Sequence, residues 1–178
     1  MHAHVHGHSL MVVRLHTFLF ADLVGFTRFA ARCGDERAAD LAVGFQRRVR
    51  VLASALGCET VSTHGDAVLV RSDSVEQALA LGDAILRLSA AGVLPQVRVG
   101  LDTGSASRRG GDWFGTTVNT ASRVTAAASA GVLVLSERSC EASVATRHVA
   151  VRPLGRRRLK GLCAQTLHAV TASAQAAG

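Results

Sequence analysis

The chain has 178 residues, of which 48% are hydrophobic and 19% charged, a composition typical of a globular protein and not of a disordered one. The net charge of +7 comes almost entirely from arginine, which favours an anionic ligand but is weak support for nucleic-acid binding. No apolar run reaches membrane-spanning length, and the start of the chain lacks a secretory signal. The four cysteines form no CxxC pair, so we expect reduced thiols in a cytoplasmic protein without a membrane partner.

The ends of the chain differ in composition from the rest. Residues 1–14 hold four of the eight histidines, alternating with small residues, and we expect a disordered tail there. We expect one domain over 15–172 and a short tail over 173–178, with no internal repeat and no linker.

The first half of the chain predicts a strand, a helix, a hairpin and a second helix. The apolar run 17–22 reads as a buried strand, and apolar residues at three- and four-residue steps predict one long helix over 28–56. Two β-rich runs flank His64-Gly65-Asp66, which is typical of a hairpin, and 74–91 is a second amphipathic helix.

The second half alternates between strands and helices. A strand in "QVRVGLDTG" is followed by a glycine-rich loop, "SASRRGGDWFG", and a third helix, "TTVNTASRVTAAASA". A strand over 131–136, a short helix over 137–145 and three strand-like pieces near 148–153, 156–160 and 165–170 complete the chain. This order predicts an α/β (α+β) sandwich with a mixed sheet and a ferredoxin-like βαββαβ core.

Two carboxylates stand at the ends of predicted strands. Asp22 ends the first strand and Asp66 lies at the hairpin tip, and a β-α-β-β arrangement brings such positions close together. Paired carboxylates can share a proton or hold divalent metal ions that activate an oxygen nucleophile. The structural alternative is a helix cap and an unrelated turn.

The segment Gly25-Phe26-Thr27 joins the first strand to a helix. A glycine turn at a helix start leaves free backbone N–H groups, which suit phosphate oxygens. A metal at Asp22 beside such a turn indicates a nucleoside triphosphate site.

A second set of polar residues surrounds the start of the third helix. Asn119 and Arg123 are four residues apart on one helix face, and Asp112 precedes them in the glycine-rich loop. An arginine can neutralise charge on a transferring phosphoryl group, and an asparagine can position a hydroxyl. Taken alone, an asparagine near a helix start and an arginine on a solvated helix face are more often structural than functional.

Five segments together resemble one family, the catalytic domain of class III nucleotidyl cyclases, which make cyclic AMP or cyclic GMP. They are "FADLVGFT", "STHGDAVLV", "VGLDTG", "GDWFGTTVNTASRV" and "RLKGL", in the family's order and spacing. The likeness covers about residues 15–170 and is strongest to actinobacterial adenylyl cyclases. It implies the class III cyclase fold.

The resemblance implies roles for individual residues. Asp22 and Asp66, with the Leu23 carbonyl, would bind two Mg²⁺ or Mn²⁺ ions. Other positions would hold the substrate: Gly25, Phe26, Thr27 and Lys160 the phosphates, Asn119 the ribose, Arg123 the transition state at the α-phosphate, and Asp112 the adenine amino group.

The resemblance also implies a head-to-tail homodimer with two sites at the interface. One chain would supply the metal-binding aspartates and the other the base-reading residues, the asparagine and the arginine. This chain carries both halves, so we expect a homodimer that acts on ATP, and an inactive monomer.

Ser62 departs from the family pattern. Adenylyl cyclases have a purine-reading lysine at this position and guanylyl cyclases have glutamate, whereas serine is short and uncharged. Asp112 still favours adenine, so the sequence predicts an adenylyl cyclase. The alternatives are a cyclase with relaxed or guanylyl specificity and a weakly active nucleotide-binding regulatory module. Nucleic-acid binding through Arg156-Arg157-Arg158 is disfavoured because no aromatic residues interleave with the arginines.

Overall fold

The structure is a computed structural model that describes residues 14–145 and 149–171. The predicted tail at 173–178, and the predicted histidine-rich tail except for Arg14, therefore lie outside the described residues. The first elements are β1 (His16–Leu23), α1 (Phe26–Cys33), α2 (Asp35–Ala55), β2 (Glu59–His64), β3 (Ala67–Ser72), α3 (Val75–Ala90) and β4 (Val97–Gly104). They are followed by β5 (Ser107–Arg109), β6 (Asp112–Phe114), α4 (Thr116–Ala127), β7 (Leu133–Ser136), α5 (Glu137–Ala145), β8 (Val151–Arg157) and β9 (Gln165–Val170).

A mixed sheet organises the described part of the chain, as the sequence predicted. Its strand order is β2-β3-β1-β4-β7-β9-β8, and β5 pairs with β6 in a separate two-stranded ribbon. The first strand pairs antiparallel with both β3 and β4, whereas β4 and β7 run parallel. The first strand is therefore central, with neighbours on both sides.

The two faces of the sheet are buried by different helices. Leu19, Ala21 and Leu23 of β1 belong to the main core cluster, together with residues of α2 and α3 such as Phe45 and Ile85. Because side chains alternate along a strand, Phe18 points to the opposite face, where it packs with Ala121 of α4. Asp22 is four residues after Phe18 in the same strand, so its side chain points to the same face, which α4 covers.

A glycine lets α4 approach the sheet closely. A Cβ atom at Gly100 of β4 would lie 2.4 Å from the backbone nitrogen of Thr125. The Thr125 hydroxyl donates to the carbonyl of Ala121 and lies 3.4 Å from the carbonyl of Phe20. The close packing of α4 on β1 and β4 therefore requires glycine at position 100.

Three sequence predictions about elements are corrected. The long helix expected over 28–56 is two helices, because the chain turns at Gly34 with a φ of 87°, where the amide still donates to Ala30. The glycine-rich loop contains the β5–β6 ribbon. The piece expected at 156–160 is no separate strand, because β8 runs unbroken to Arg157 and a loop follows it.

Among residues 14–145 and 149–171, no helix has both the length and the apolar character that crossing a membrane requires.

Candidate active site

Asp22 is the penultimate residue of the central strand. It stands in register with Ala67 of β3 on one side and with Arg98 of β4 on the other. Its side chain is 18% exposed and faces the α4 side of the sheet. A carboxylate this enclosed is costly without a partner cation.

Asp66 comes to the same end of the sheet through the predicted hairpin, which the structure confirms. Gly65 and Asp66 form the two-residue turn between β2 and β3, and the side-chain amide of Gln46 donates to the Gly65 carbonyl over 2.7 Å. The backbone of Leu23 donates to the Asp66 carbonyl. Burial, and next the charge of Asp22, raise the pKa of the Asp66 carboxyl above its ordinary value. The two carboxylates are therefore close neighbours, as the topology predicted.

Arg98 joins this pair, and the sequence analysis missed it. Its Nε and Nη2 atoms lie 2.6 and 2.5 Å from the same carboxylate oxygen of Asp22, and Nη1 donates to the carbonyl of Ala126 over 3.3 Å. The signal was present in the sequence, because a charged residue stands between Val97 and Val99 in an otherwise buried strand. The ion pair neutralises Asp22 and ties it to the end of α4.

The turn after β1 has free donors, as predicted. Gly25 adopts the left-handed conformation with a φ of 79°, and no side chain among residues 14–145 and 149–171 caps the helix that begins at Phe26. A Cβ atom at Gly25 would meet no atom of the described residues within 4 Å, which leaves open space beside the turn in this part of the chain. Phe26 packs against the core and Thr27 is exposed. Uncapped N–H groups beside open space suit phosphate oxygens.

A cavity of about 370 Å³ lies between the end of β1 and α4. Its lining includes Asp22, His64, Arg98 and Asn119. Arg123 stands one turn after Asn119 on the same helix and is exposed. Within one chain, therefore, Asn119 lines the cavity at Asp22, whereas Arg123 is not among its lining residues.

Three further predicted residues, Ser62, Asp112 and Lys160, are not among the residues that line that cavity. Ser62 is in β2, where its hydroxyl lies 3.0 Å from Nε2 of His64. Asp112 begins β6, is exposed, and accepts a hydrogen bond from the backbone of Trp113. Lys160 is exposed and follows Leu159, which packs with Val124 of α4.

The donor set fits hard divalent cations. Within the described ranges, no three or more His, Cys, Asp or Glu side chains converge, so the candidate ligands are two carboxylates and the Leu23 carbonyl. Mg²⁺ is usually held by one or two carboxylates plus substrate phosphates, which matches this set. A divalent cation would also offset both the burial and the charge of Asp22 that raise the pKa of the Asp66 carboxyl.

Comparison with known proteins identifies sequence relatives over most of the chain. A family model for the adenylate and guanylate cyclase catalytic domain matches residues 14–172. The adenylate cyclase of Streptomyces coelicolor is 36% identical over 129 residues, which are 72% of this chain and 34% of that protein. The adenylate cyclase of Streptomyces griseus is 38% identical over 119 residues, 66% of this chain and 30% of that protein. The chain thus spans about a third of the length of these relatives.

Solved structures share the fold at lower sequence identity. The adenylyl cyclase CyaB from P. aeruginosa superposes with a TM-score of 0.78 at 22% identity, over 92% of this chain and 97% of that one. The guanylate cyclase domain of RhGC from Catenaria anguillulae, solved with GTP, gives a TM-score of 0.77 at 24% identity. That match covers 90% of this chain and 98% of the other. Both comparisons establish the fold.

Proposed function

The chain belongs to the adenylate and guanylate cyclase catalytic-domain family, and from that premise we propose that it converts ATP to 3′,5′-cyclic AMP and pyrophosphate. The observation that carries the proposal is the meeting of Asp22 and Asp66 at the end of the central strand, beside the uncapped start of α1. Residues 15–172 would be the catalytic unit. The two Streptomyces relatives named adenylate cyclase support this choice of reaction.

The residues divide the reaction between them. Asp22 and Asp66, with the Leu23 carbonyl, would hold two Mg²⁺ or Mn²⁺ ions, which when bound lower the pKa of the ribose 3′-hydroxyl and neutralise phosphate charge. The amides of Gly25, Phe26 and Thr27 would orient the β- and γ-phosphates for in-line attack on the α-phosphorus.

The other half of the site would position the nucleoside. Asn119 would orient the ribose, Arg123 would stabilise the charge that develops on the α-phosphate, and Lys160 would contact the phosphates. Asp112 would accept a hydrogen bond from the adenine amino group. We propose that Asp112, Asn119 and Arg123 of one chain complete the site built on Asp22 and Asp66 of a second copy in a head-to-tail homodimer. Asp112 and Arg123 are exposed, as contact with a second copy requires.

The first experiment is a product assay. Purified protein is incubated with ATP or GTP and Mn²⁺ or Mg²⁺, and the cyclic nucleotide is measured. Asp66→Ala should lower turnover by about a hundredfold or more, because it removes a metal ligand. Asp40→Ala removes an exposed carboxylate of α2 and should leave turnover unchanged. Full activity in Asp66→Ala would refute the metal assignment.

The products also separate the alternatives. Cyclic GMP in excess over cyclic AMP would favour guanylyl specificity, in line with the uncharged Ser62. Nucleotide binding without any product, from protein shown to be dimeric, would favour the regulatory module.

Complementation between two inactive variants tests the shared site. Asp66→Ala and Arg123→Ala damage different halves, so a head-to-tail heterodimer of the two has one intact site out of two. Random association after coexpression gives heterodimers in half of the dimers, and activity should return to about a quarter of wild type. If each chain built its site alone, no activity would return.

A further inference from the structure

The β5–β6 ribbon, which carries Asp112, is separate from the main sheet and is held to it by side chains. Its central cross-strand pair is Arg108 opposite Trp113. Trp113 reaches into a small apolar cluster that includes Phe18 of β1 and Val61 of β2. The indole is therefore the point at which the ribbon is anchored.

Two arginines lie against this indole. The guanidinium carbon of Arg71 is 5.1 Å from the ring centroid, and that of Arg108 is 6.0 Å from it. His16 and Phe18 meet the ring edge-on, with centroid distances of 4.6 and 5.7 Å. The Nε1 atom is buried without a hydrogen-bond partner in the described part of the chain. Ring contacts, and not a hydrogen bond, therefore fix the indole.

Glu59 connects both arginines to β2. Its carboxylate lies 3.5 Å from Nη1 of Arg71 and 3.3 Å from Nη2 of Arg108. Arg71 is only 14% exposed and also contacts His16 and Asp73. We call Glu59, Arg71, Arg108 and Trp113 the tryptophan clamp. It ties the ribbon to β2 and β3 on one side of the molecule.

Both candidate purine-reading residues flank this clamp. Asp112 is adjacent to Trp113 in β6, and Ser62 is three residues after Glu59 in β2. Val61, next to Ser62, packs in the same cluster as Trp113. A shift of the indole would therefore change the separation of Asp112 and Ser62, whereas Asp22 and Asp66 are not among the residues packed with Trp113.

We infer that Trp113, held by Arg71 and Arg108, is a positioning residue that sets the separation of Asp112 from Ser62 and thereby the choice between adenine and guanine. The inference rests on the proposed function. Cation–π and exposed ion-pair contacts are individually modest, so the expected effect is on discrimination and not on fold.

The test uses Arg108→Met, which removes the outer cation and its pair with Glu59 but keeps the chain length. The ratio of kcat/KM for ATP to that for GTP should change by roughly threefold to tenfold, because cation–π and ion-pair contacts of this size are lost. Arg108→Lys should restore part of the ratio. Arg87→Met removes an exposed arginine paired with Asp83 in α3 and is the matched control, with an unchanged ratio.

Trp113 fluorescence provides a second readout, since the chain has one tryptophan and no tyrosine. In Arg108→Met the emission should shift to longer wavelength as the indole becomes more exposed. Titration with ATP or GTP should change the emission, whereas tripolyphosphate, which lacks a base, should not. In Arg87→Met the spectrum should match that of wild type.

The outcomes distinguish the inference from the function on which it rests. If wild type forms cyclic nucleotide but Arg108→Met and Trp113→Phe lower kcat/KM equally for ATP and GTP, or not at all, the inference is wrong and the function stands. If wild type forms no product, the ratio of ATP to GTP dissociation constants from Trp113 emission replaces the kinetic ratio. If neither nucleotide is bound, both are wrong.

Discussion

The guanidinium of Arg98 rests on the carboxylate of Asp22, with two nitrogens within 2.6 Å of one oxygen. The two residues face each other in register across β4 and β1. Arg98 thus supplies a cation at the carboxylate for which we propose a divalent metal. Metal ion and guanidinium would compete for Asp22, since one carboxylate oxygen receives both arginine contacts.

Replacing Arg98 with methionine should raise the affinity of the nucleotide-free protein for Mn²⁺. Removal of the competing cation leaves two neighbouring carboxylates without compensation, and the affinity should rise by roughly tenfold, about 1.4 kcal/mol. The free Mn²⁺ signal in electron paramagnetic resonance measures this directly. Arg87→Met is again the control for lost positive charge. If Arg98→Met bound Mn²⁺ no more tightly than wild type, Arg98 would not compete with the metal ion for Asp22.

Replacing Ser62 with lysine should strengthen the preference for ATP. A charged donor at this position would reach the purine, and one charge-assisted hydrogen bond corresponds to roughly tenfold to a hundredfold in kcat/KM. Ser62→Ala removes the hydroxyl that contacts His64, adds no charge, and should change the ATP to GTP ratio less. Initial rates over a range of both nucleotides give the ratio. An unchanged ratio in Ser62→Lys would mean that Ser62 does not face the base.

Replacing Gly100 with alanine should destabilise the fold. The new methyl group would lie 2.4 Å from a backbone nitrogen of α4, which has to move, and overpacking of this kind costs about 1–3 kcal/mol. Urea unfolding followed by circular dichroism measures the loss. Gly82→Ala is the matched control, because the nearest atoms to its methyl would be side-chain atoms, of Leu133 at 3.0 and 3.1 Å and of Val99 at 3.4 Å. Equal stability of the two variants would contradict the close approach of α4.

His16 should make the free energy of unfolding decrease as the pH falls. Burial, and then the charge of Arg71, lower the pKa of the imidazole below 6.5, while Asp73 opposes this and Arg14 adds to it. Between the lowered folded value and the unfolded value, the unfolded chain binds more protons, so stability falls as the pH falls.

The comparison with His16→Gln isolates this contribution. The free energy of unfolding of wild type minus that of His16→Gln should decrease from about pH 7 downward and become constant below the folded pKa. Urea unfolding at a series of pH values measures it. A difference that grows on acidification would show that Asp73 outweighs burial.

The sequence predicted the parts of the site that depend on strand order. Asp22 and Asp66 were recognised as partners because a β-α-β-β order brings a strand end and a hairpin tip together, and the structure places them so. Arg98 was missed because pairing across β1 and β4 depends on register, which alternation alone does not fix. The tryptophan clamp was missed because its members are separated by long stretches of chain.

The sequence also predicted the fold class but not two local features. The apolar period continues through 28–56, so it concealed the break at Gly34, which depends on one backbone dihedral angle. The ribbon within the glycine-rich segment has strands of three residues, too short for an alternating pattern to be visible. In both cases the contacts that decide the structure involve one or two residues.

Two parts of the molecule should differ in how readily their backbone hydrogen bonds open. They are β1, which has neighbours on both sides in the seven-stranded sheet, and the separate β5–β6 ribbon. Amide protons beside Asp22 are hydrogen-bonded within the middle of a seven-stranded sheet and should exchange with solvent only when the whole fold opens. Those of the two-stranded ribbon that carries Asp112 should exchange through local opening. If Asp112 reads the purine as we propose, purine preference would depend on a segment that opens locally, whereas Asp22 would remain in a strand that opens only with the whole fold.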